Sequence, residues 1–339
     1  MKAITYKTSG AADVMALTDR PLPEPGEGEV RVAVRVSGVN PTDWKARQST
    51  TPSGEQVPNQ DGSGVIDAVG PGVPESRLGE RVWLWEAAWG RADGTAQEYV
   101  TLPARQAVPL PEHASFDLGA SLGIPALTAH RTLTVADGGP TRLAPGALAG
   151  RIVLVAGGAG AVGNAAIQLA RWAGATVVTT VSGPAKGELA KAAGAQHVVD
   201  YRAQDAAAEI RRIAPDGVHI VVEVAPGANA ELDRAVTAPD AVVAFYADDS
   251  ETVSVPVRPS MFGNLRWQGV LVYTVPAAAK DDAVAAVSAA VADDAIRVGE
   301  AAGLPLHRFP LSRTGDAHDA VEQATVGKVL IDVSTDASA

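Results

Sequence analysis

The stretch that decides the fold reads Ile152-Val-Leu-Val-Ala156, then Gly157-Gly-Ala-Gly-Ala-Val-Gly163, then the Ala-rich segment Asn164–Ala173. An apolar run, a glycine turn and a helix-forming segment predict a strand, a tight turn and a helix in that order. The spacing G-x-G-x-x-G lets a diphosphate approach backbone N–H groups at the positive end of the helix dipole. The alternative is a glycine-rich turn that binds nothing. We expect a dinucleotide to bind at five residues of this stretch: Gly158, Gly160, Ala161, Val162 and Gly163.

The sequence changes character on either side of this stretch. From about residue 151 onward, apolar runs alternate with Ala-rich stretches of helical length, which predicts a parallel, doubly wound α/β sheet. Up to about residue 123, short β segments are broken by Gly and Pro, which predicts an irregular, mostly β domain. Leu304–Val333 returns to short strands around one helical piece. We therefore predict one domain at 1–123, completed by 300–339, and a dinucleotide-binding domain at 124–299.

Individual elements are predicted from the same periodicity. The predicted strands are Arg31–Val36, Gly62–Val69, Gln97–Leu102, Ile152–Ala156, Thr176–Val181, His197–Val199, Ile220–Val224 and Ala241–Phe245. The predicted helices are Ala161–Ala173, Ala185–Ala193, Asp205–Ile213, Asp281–Ala292 and a piece near Asp316–Ala324.

Composition excludes several classes of protein. The chain has 339 residues, 46% of them apolar, which is typical of a globular protein of about two domains. Its formal charge of -11 repels nucleic acid and anionic membranes, so we expect small-molecule partners. It has no cysteine, which excludes disulfides, thiolate nucleophiles and cysteine zinc sites. No apolar segment has the length of a membrane span or the pattern of a secretory signal, so we expect a cytoplasmic protein.

The residues after the second strand of the α/β domain indicate which dinucleotide is bound. An NAD site usually has Asp or Glu there, to hold the adenosine ribose hydroxyls. This strand ends Thr180-Val-Ser-Gly-Pro-Ala-Lys186, with no carboxylate. A carboxylate about 5 Å from a phosphate costs about 3 kcal/mol at an effective dielectric of 20. We expect NADPH, in contact with Ser182, Gly183 and Lys186; the alternative for Lys186 is a solvated helix charge.

Several further stretches resemble one family. In order and spacing, the chain resembles the zeta-crystallin-like quinone oxidoreductases of the medium-chain dehydrogenase/reductase superfamily over nearly its whole length. The resemblance implies a GroES-like β domain and a Rossmann domain, with NADPH in the cleft between them. The matching stretches are Gly38–Asp43, Gly62–Gly70, Gly79–Val82, Ala120–Ala129, the glycine turn, Ala193–Ala195, Asp200–Arg202 and Gly327–Val329.

The resemblance also implies roles for single residues of the Rossmann domain. Tyr201 would lie by the 2′-phosphate with Ser182 and Lys186. Phe245 and Tyr246, after the fifth strand, and Val272, after the sixth, would line the nicotinamide half of the groove. For Phe245, a place in the core is an equally good interpretation.

Candidate catalytic residues come from the resemblance too. Asn40, Asp43 and Thr128 would line the active site, where Asn40 and Thr128 hydrogen-bond the carboxamide, the ribose or the substrate. From the residues alone, a turn is the better interpretation of Asn40 and Asp43, and the match to the family motif reverses this preference. Several relatives have tyrosine where this chain has Lys45, which would stabilise or protonate a developing oxyanion, or else be a solvated lysine.

Zinc is not expected. Gln60 and Asp61 stand where the zinc alcohol dehydrogenases of the superfamily have His and Glu, and the cysteine ligand is missing. Three tryptophans, Trp83, Trp85 and Trp89, would form either an aromatic wall for a planar substrate or, by our preferred interpretation, part of the packing of the β domain.

The expected function is hydride transfer from NADPH to a quinone or similar conjugated carbonyl compound. Alternatives are reduction of an enone, alkenal or enoyl thioester, and a crystallin-like or regulatory protein that binds NADPH without turnover. A weaker one is a scaffold that binds no nucleotide. Relatives dimerise through the last strand of the Rossmann sheet, and the apolar stretch Gln268–Tyr273 is a candidate edge, so we expect a homodimer.

Overall fold

A computed structural model describes residues 1–333. These residues form fifteen strands. The strands are β1 (Lys2–Thr5), β2 (Ala16–Asp19), β3 (Glu29–Val39), β4 (Asp61–Val69), β5 (Arg81–Leu84), β6 (Tyr99–Pro103), β7 (Ala107–Pro109), β8 (Ile152–Ala156), β9 (Thr176–Val181), β10 (His197–Asp200), β11 (Val218–Glu223), β12 (Thr237–Phe245), β13 (Arg266–Gly269), β14 (Leu306–Pro310) and β15 (Lys328–Asp332).

The same residues form nine α-helices. The helices are α1 (Pro41–Ser49), α2 (Phe116–Leu133), α3 (Ala161–Trp172), α4 (Pro184–Ala192), α5 (Ala206–Ile213), α6 (Pro226–Val236), α7 (Val257–Phe262), α8 (Ala277–Ala292) and α9 (Thr314–Glu322).

The chain divides into two compact units. Of the described residues, the first unit contains Met1–Ile124 and those from Leu306 onward, and the second contains Pro125–Pro305.

The second unit is a six-stranded parallel sheet. Its strand order is β10-β9-β8-β11-β12-β13, the order of a doubly wound dinucleotide-binding sheet. The central strands are apolar and rich in valine because helices cover both faces of such a sheet. Leu154, Val178, Val221 and Val243 form one core cluster from four neighbouring strands. This confirms the predicted fold class for this part of the chain.

The first unit is mostly β. Its larger sheet runs β14-β15-β3-β4-β5-β7, with β6 also paired to β3, and β1 and β2 form a separate hairpin. Strand β3 is eleven residues long and pairs with β15, β4 and β6. Its alternating valines, from Val30 to Val39, fill the core of this unit. The predicted mostly β domain is therefore confirmed as well.

One local prediction is wrong, and one alternative is excluded. Asn40 and Asp43 do not form an isolated turn, the alternative interpretation, because Asn40 is the N-cap of α1 and Asp43 lies in its first turn. Gln268–Tyr273 is not one strand: β13 ends at Gly269, and Val272 and Tyr273 are buried in a following 3-10 turn. Periodicity could not detect this, since buried strands and buried turns both read as short apolar runs.

Candidate functional site

The glycine turn joins β8 to α3, as predicted. Gly157 has a φ of 68°, in the left-handed region that favours glycine. A Cβ at Gly158 would lie 2.2 Å from Thr179 Oγ1, and one at Gly163 would lie 2.5 Å from the Gly157 carbonyl oxygen. The fold itself therefore requires glycine at these three positions.

Gly160 differs from the other glycines of the turn. Its φ of -82° and ψ of 163° are open to any residue, and a Cβ there would meet nothing closer than the Gly157 oxygen at 3.5 Å. It is exposed and precedes Ala161, the first residue of α3. The first N–H groups of a helix have no acceptor within the helix and carry its positive partial charge. The turn thus presents open backbone donors beside a position where the fold does not need glycine.

Residues named for the 2′-phosphate lie at the carboxyl ends of β9 and β10. Ser182 and Gly183 follow β9, and Lys186 is exposed in the first turn of α4. Tyr201 follows β10 and is 51% exposed, and its backbone N–H donates to the Val181 oxygen at 3.2 Å. Adjacent parallel strands end at one edge of the sheet, so these residues come together there.

Arg202 is a residue of this edge to which the sequence analysis gave no role. It follows Tyr201, is exposed, and its backbone N–H donates to Asp200 Oδ1 at 3.0 Å. With Lys186 it adds a second cation at the edge where β9 and β10 end. Arg202 could have been predicted from sequence, because it belongs to Asp200–Arg202, one of the stretches that match the family.

The residues named for the nicotinamide half of the groove lie at or after the carboxyl ends of β12 and β13. Phe245 ends β12 and is half-buried, so it is not an ordinary core residue. The Tyr246 N–H donates to the Glu223 oxygen at 3.1 Å, at the carboxyl end of β11. Val272 is 4% exposed, and Thr128 is 5% exposed on α2.

A buried pair of carboxyl groups, Glu223 and Asp233, lies at the same end of β11. Glu223 accepts hydrogen bonds from the Ala225 N–H at 2.5 Å and from Asn229 Nδ2 at 3.0 Å. Glu223 Oε2 and both carboxylate oxygens of Asp233 have no donor within the described residues. Burial, and then the Glu223 charge and hydrogen bond, raise the pKa of Asp233 to about 9. Asp233 therefore keeps its proton near neutral pH.

This pair predicts a pH dependence of stability. Between the ordinary aspartate pKa of about 4 and the folded value of about 9, the folded chain holds a proton that the unfolded chain releases. The free energy of unfolding therefore falls as pH rises through this range. In Asp233→Asn a neutral amide replaces the protonated acid, so this position no longer makes stability depend on pH. As pH rises, the free energy of unfolding of the variant should therefore increase relative to that of the wild type, by up to about 1.4 kcal/mol per pH unit. Urea denaturation at pH 6, 7 and 8 measures the gain.

The control for this prediction is Asp216→Asn, since Asp216 is exposed at the other end of β11. That variant should keep the pH slope of the wild type. An unchanged slope in Asp233→Asn would mean that the pair holds no extra proton.

In the first unit, polar side chains meet at one end of three neighbouring strands. Asn40 follows the last residue of β3, Asp61 is the first residue of β4, and Lys328 is the first residue of β15. The pairings Gly38 with Asp61 and Val39 with Val329 bring these ends together. All three residues are at most 2% exposed. We call Asn40, Asp43, Asp61 and Lys328 the strand-end cluster.

Hydrogen bonds connect the members of the strand-end cluster. Lys328 Nζ donates to Asn40 Oδ1 at 2.7 Å and lies 3.6 Å from Asp61 Oδ2. Asn40 Nδ2 donates to Asp61 Oδ2 at 2.7 Å, and the Ile124 N–H donates to Asp61 Oδ1 at 2.8 Å. The Asn40 N–H donates to Asp43 Oδ2 at 2.7 Å, which caps α1.

Burial sets the protonation of the strand-end cluster. It raises the pKa of Asp43 to about 7, with a further rise from the Asp61 charge. It also raises the pKa of Asp61 and lowers that of Lys328, and their mutual attraction opposes both shifts. Asp43 Oδ1 is buried without a donor within the described residues, which agrees with a carboxyl that readily holds a proton. Asn40 and Asp43 were predicted from the sequence to be functional, whereas Lys328 was not, although it lies in the family-matching stretch Gly327–Val329.

Lys45 and the tryptophans take other positions. Lys45 is half-buried on α1, with Nζ 6.0 Å from the centre of the Trp44 ring. Trp83 and Trp85 are at most 2% exposed, which supports the packing interpretation for both, whereas Trp89 is 47% exposed.

The donor set of the first unit does not fit a zinc ion. Gln60 Oε1 accepts a hydrogen bond from the Ala88 N–H at 3.1 Å, and Asp61 lies against an ammonium group. The chain has no cysteine, and residues 1–333 contain no group of three or more His, Asp or Glu that could hold a metal. Zinc sites need thiolate, imidazole or carboxylate ligands together.

Among the described helices, none has the length and apolar character required to cross a membrane.

Two family models match the chain. One, described as alcohol dehydrogenase GroES-like domain, matches residues 26–112, and the other, described as zinc-binding dehydrogenase, matches residues 161–289.

Two curated relatives are similar to this chain over about two thirds of its length. The quinone oxidoreductase of Rattus norvegicus is 32% identical over 238 residues, which cover 69% of this chain and 69% of that protein. The synaptic vesicle membrane protein VAT-1 homolog of Rattus norvegicus is 34% identical over 234 residues, which cover 68% of this chain and 55% of that protein. The chain thus spans about half the length of the VAT-1 homologs that it matches.

Two solved structures match nearly the whole chain. A structure described as an NAD-dependent alcohol dehydrogenase has a TM-score of 0.84 and 27% identity. The match covers 98% of this chain and 100% of that chain. The structure of a mycobacterial protein complexed with NADPH has a TM-score of 0.80 and 28% identity. The match covers 98% of this chain and 99% of that chain.

Proposed function

The chain belongs to the medium-chain dehydrogenase/reductase superfamily, and from this premise we propose that it transfers hydride from NADPH to a quinone or similar conjugated carbonyl compound without a metal. The observation that carries the proposal is Gly160. The fold does not need a glycine there, and the open donors of α3 begin beside it. Close approach of a diphosphate explains both features.

The choice of NADPH over NADH is argued from this chain's own residues, because the two matching structures differ in the nucleotide they are described with. A 2′-phosphate carries negative charge to the edge where β9 and β10 end. Lys186 and Arg202 supply cations there, and Ser182 supplies a hydroxyl donor. The segment Ser182–Lys186 has no carboxylate to repel the phosphate.

Removing the lysine tests this choice. Lys186→Ala should raise the Kd for NADPH about tenfold, the effect of losing about 1.4 kcal/mol of attraction, and should leave the Kd for NADH unchanged. Calorimetric titration of both nucleotides measures the two constants. Lys191→Ala is the matched control, since Lys191 lies on the same helix and pairs with Glu188. An equal loss of affinity for NADPH and NADH would contradict the assignment of Lys186 to the 2′-phosphate.

The protein's part in the proposed reaction is to position groups and to stabilise charge. NADPH, when bound, supplies the hydride, so the chain itself needs no redox group. Asn40 and Thr128 donate hydrogen bonds to the acceptor oxygen or to the nicotinamide carboxamide. Phe245, Tyr246 and Val272 line the position of the nicotinamide ring. Because no metal polarises the acceptor, these donors must stabilise the negative charge that forms on its oxygen.

Lys45 is proposed to stabilise or protonate that oxygen. Lys45→Ala should lower kcat about tenfold and leave the Kd for NADPH unchanged, because proton delivery acts only on the reaction. Steady-state kinetics and a binding titration separate the two effects. Wild-type kinetics in the variant would remove Lys45 from the mechanism.

The acceptor class is tested by comparing NADPH oxidation with a benzoquinone, a short enone and a crotonyl thioester. We expect the largest kcat/KM with the quinone. A preference for the enone or the thioester would instead favour the double-bond reductases. NADPH binding without oxidation of any acceptor would indicate a protein that binds the nucleotide without turnover.

A homodimer is proposed through β13. Within the described residues β13 pairs only with β12, which leaves one edge of the strand open. Val257, Met261 and Phe262, on the nearby helix α7, are each more than 70% exposed. An open edge beside exposed apolar side chains is suited to a second copy of the chain. Light scattering that shows a monomer at micromolar concentration would reject this.

A further inference from the structure

We propose that Lys328 is a positioning residue for the reaction: held against Asp61, it fixes the side-chain amide of Asn40 in one orientation. The inference rests on the proposed function, in which Asn40 hydrogen-bonds the acceptor or the carboxamide. It assigns a task to a buried lysine in a part of the chain remote in sequence from Asn40.

The chemistry of the two partners determines how the amide is turned. An ammonium group has donors and no acceptor, so it can face only Oδ1 of Asn40. A carboxylate has acceptors and no donor, so Asp61 can face only Nδ2. Both contacts are 2.7 Å long. Rotating the amide by half a turn would place oxygen against oxygen and nitrogen against nitrogen, and would lose two charge-assisted hydrogen bonds at once.

The fixed orientation leaves the amide with unused capacity. An amide has two Nδ2 hydrogens and two Oδ1 lone pairs. Asp61 engages one hydrogen, whereas Oδ1 faces both Lys328 and, in the capping box of α1, the Asp43 backbone N–H. Within residues 1–333 the second Nδ2 hydrogen of Asn40 has no partner. One donor of known orientation therefore remains for an oxygen of substrate or cofactor.

The backbone makes room for the lysine stem. A Cβ at Gly38 would lie 3.1 Å from Lys328 Cε and 2.1 Å from the Ala120 carbonyl oxygen. Gly38 therefore lets the ammonium group reach Asn40 at the end of β3. An extended lysine, buried to 1% exposure, would be costly to keep unless its charge were paired, and Asp61 supplies that charge.

The test is a double-mutant cycle. Lys328→Met with Asp61→Asn removes both charges together, so no uncompensated carboxylate stays buried, and the two charge-assisted hydrogen bonds that orient the Asn40 amide are lost. Asn40→Ala removes the amide, and a third protein carries all three changes. The control, Arg31→Met with Asp67→Asn, removes an ion pair of 3.0 Å from the same two strands, β3 and β4.

The expected kinetics follow from Lys328 acting through Asn40. The charge-removing variant should lower kcat with a quinone about tenfold, because it weakens one transition-state hydrogen bond. Asn40→Ala removes that hydrogen bond and should lower kcat about 100-fold. The triple variant should lose no more than Asn40→Ala alone. The control should keep the wild-type kcat. Independent, multiplying losses in the triple variant would overturn the proposal.

A second measurement does not depend on turnover. The Asn40 side-chain amide is identified by NMR as the signal missing from Asn40→Ala. Its hydrogen exchange should be about tenfold faster in the charge-removing variant than in the wild type, because charge-assisted hydrogen bonds hold it closed. Unchanged exchange would overturn the role of Lys328. A wild type that oxidises no NADPH would overturn the proposed function instead, and exchange would still decide the orientation of Asn40.

Discussion

Replacing Gly160 with aspartate should abolish NADPH binding and leave the fold at least as stable. The position has ordinary φ and ψ angles and room for a side chain, and it is the N-cap of α3. Aspartate is a favoured N-cap residue, so the variant should gain a few tenths of a kcal/mol in stability relative to glycine. The same carboxylate would lie where the diphosphate binds.

The size of the effect on binding follows from charge. A carboxylate about 5 Å from a phosphate at an effective dielectric of 20 costs about 3 kcal/mol, which raises Kd at least about 100-fold. Opposite changes in stability and affinity are expected only if a ligand, and not the fold, requires Gly160.

Two measurements test this, thermal unfolding without nucleotide and calorimetric titration with NADPH. Gly160→Asn has nearly the same shape without the charge, so it measures the steric part alone. Gly54→Asp is the matched control, because a Cβ at Gly54 would meet nothing within 4 Å and one at Gly160 nothing closer than 3.5 Å. If Gly160→Asp bound NADPH as the wild type does, the dinucleotide site would not lie at this turn.

The single change Lys328→Met should lower the free energy of unfolding by about 3–5 kcal/mol, the usual cost of leaving one partner of a buried ion pair without the other. Asp61, at 0% exposure, would keep the Asn40 and Ile124 hydrogen-bond donors but lose the ammonium group beside it. Lys328→Met with Asp61→Asn should recover most of the loss, since no unpaired charge then remains.

The loss in Lys328→Met should also depend on pH. Burial raises the pKa of Asp61, and removing the ammonium group raises it further. The folded variant then binds a proton that the unfolded chain releases, so its stability falls as pH rises. Urea denaturation should therefore show a smaller penalty at pH 5 than at pH 8. A variant as stable as the wild type at pH 8 would show that the Lys328–Asp61 pair stabilises nothing.

Local patterns were enough to predict the architecture, and they were the basis for most of the proposed cofactor site. Strand β8, the glycine turn and α3 lie within about twenty consecutive residues, so their spacing carries the whole motif. The missing carboxylate after β9 is likewise readable in sequence. Parallel strands end at one edge, which places Ser182 and Tyr201 together once the sheet is predicted.

The sequence by itself thus determined a doubly wound sheet, a mostly β domain and a glycine turn for a dinucleotide, because each depends on neighbours in the chain. Tertiary structure alone decided that Gly160 is dispensable to the fold while Gly158 and Gly163 are not, since space around a Cβ depends on distant atoms. It also decided that Lys328 meets Asn40, 288 residues away, and that burial beside Glu223 raises the pKa of Asp233. Strand register and burial set those contacts, and neither is encoded in local spacing.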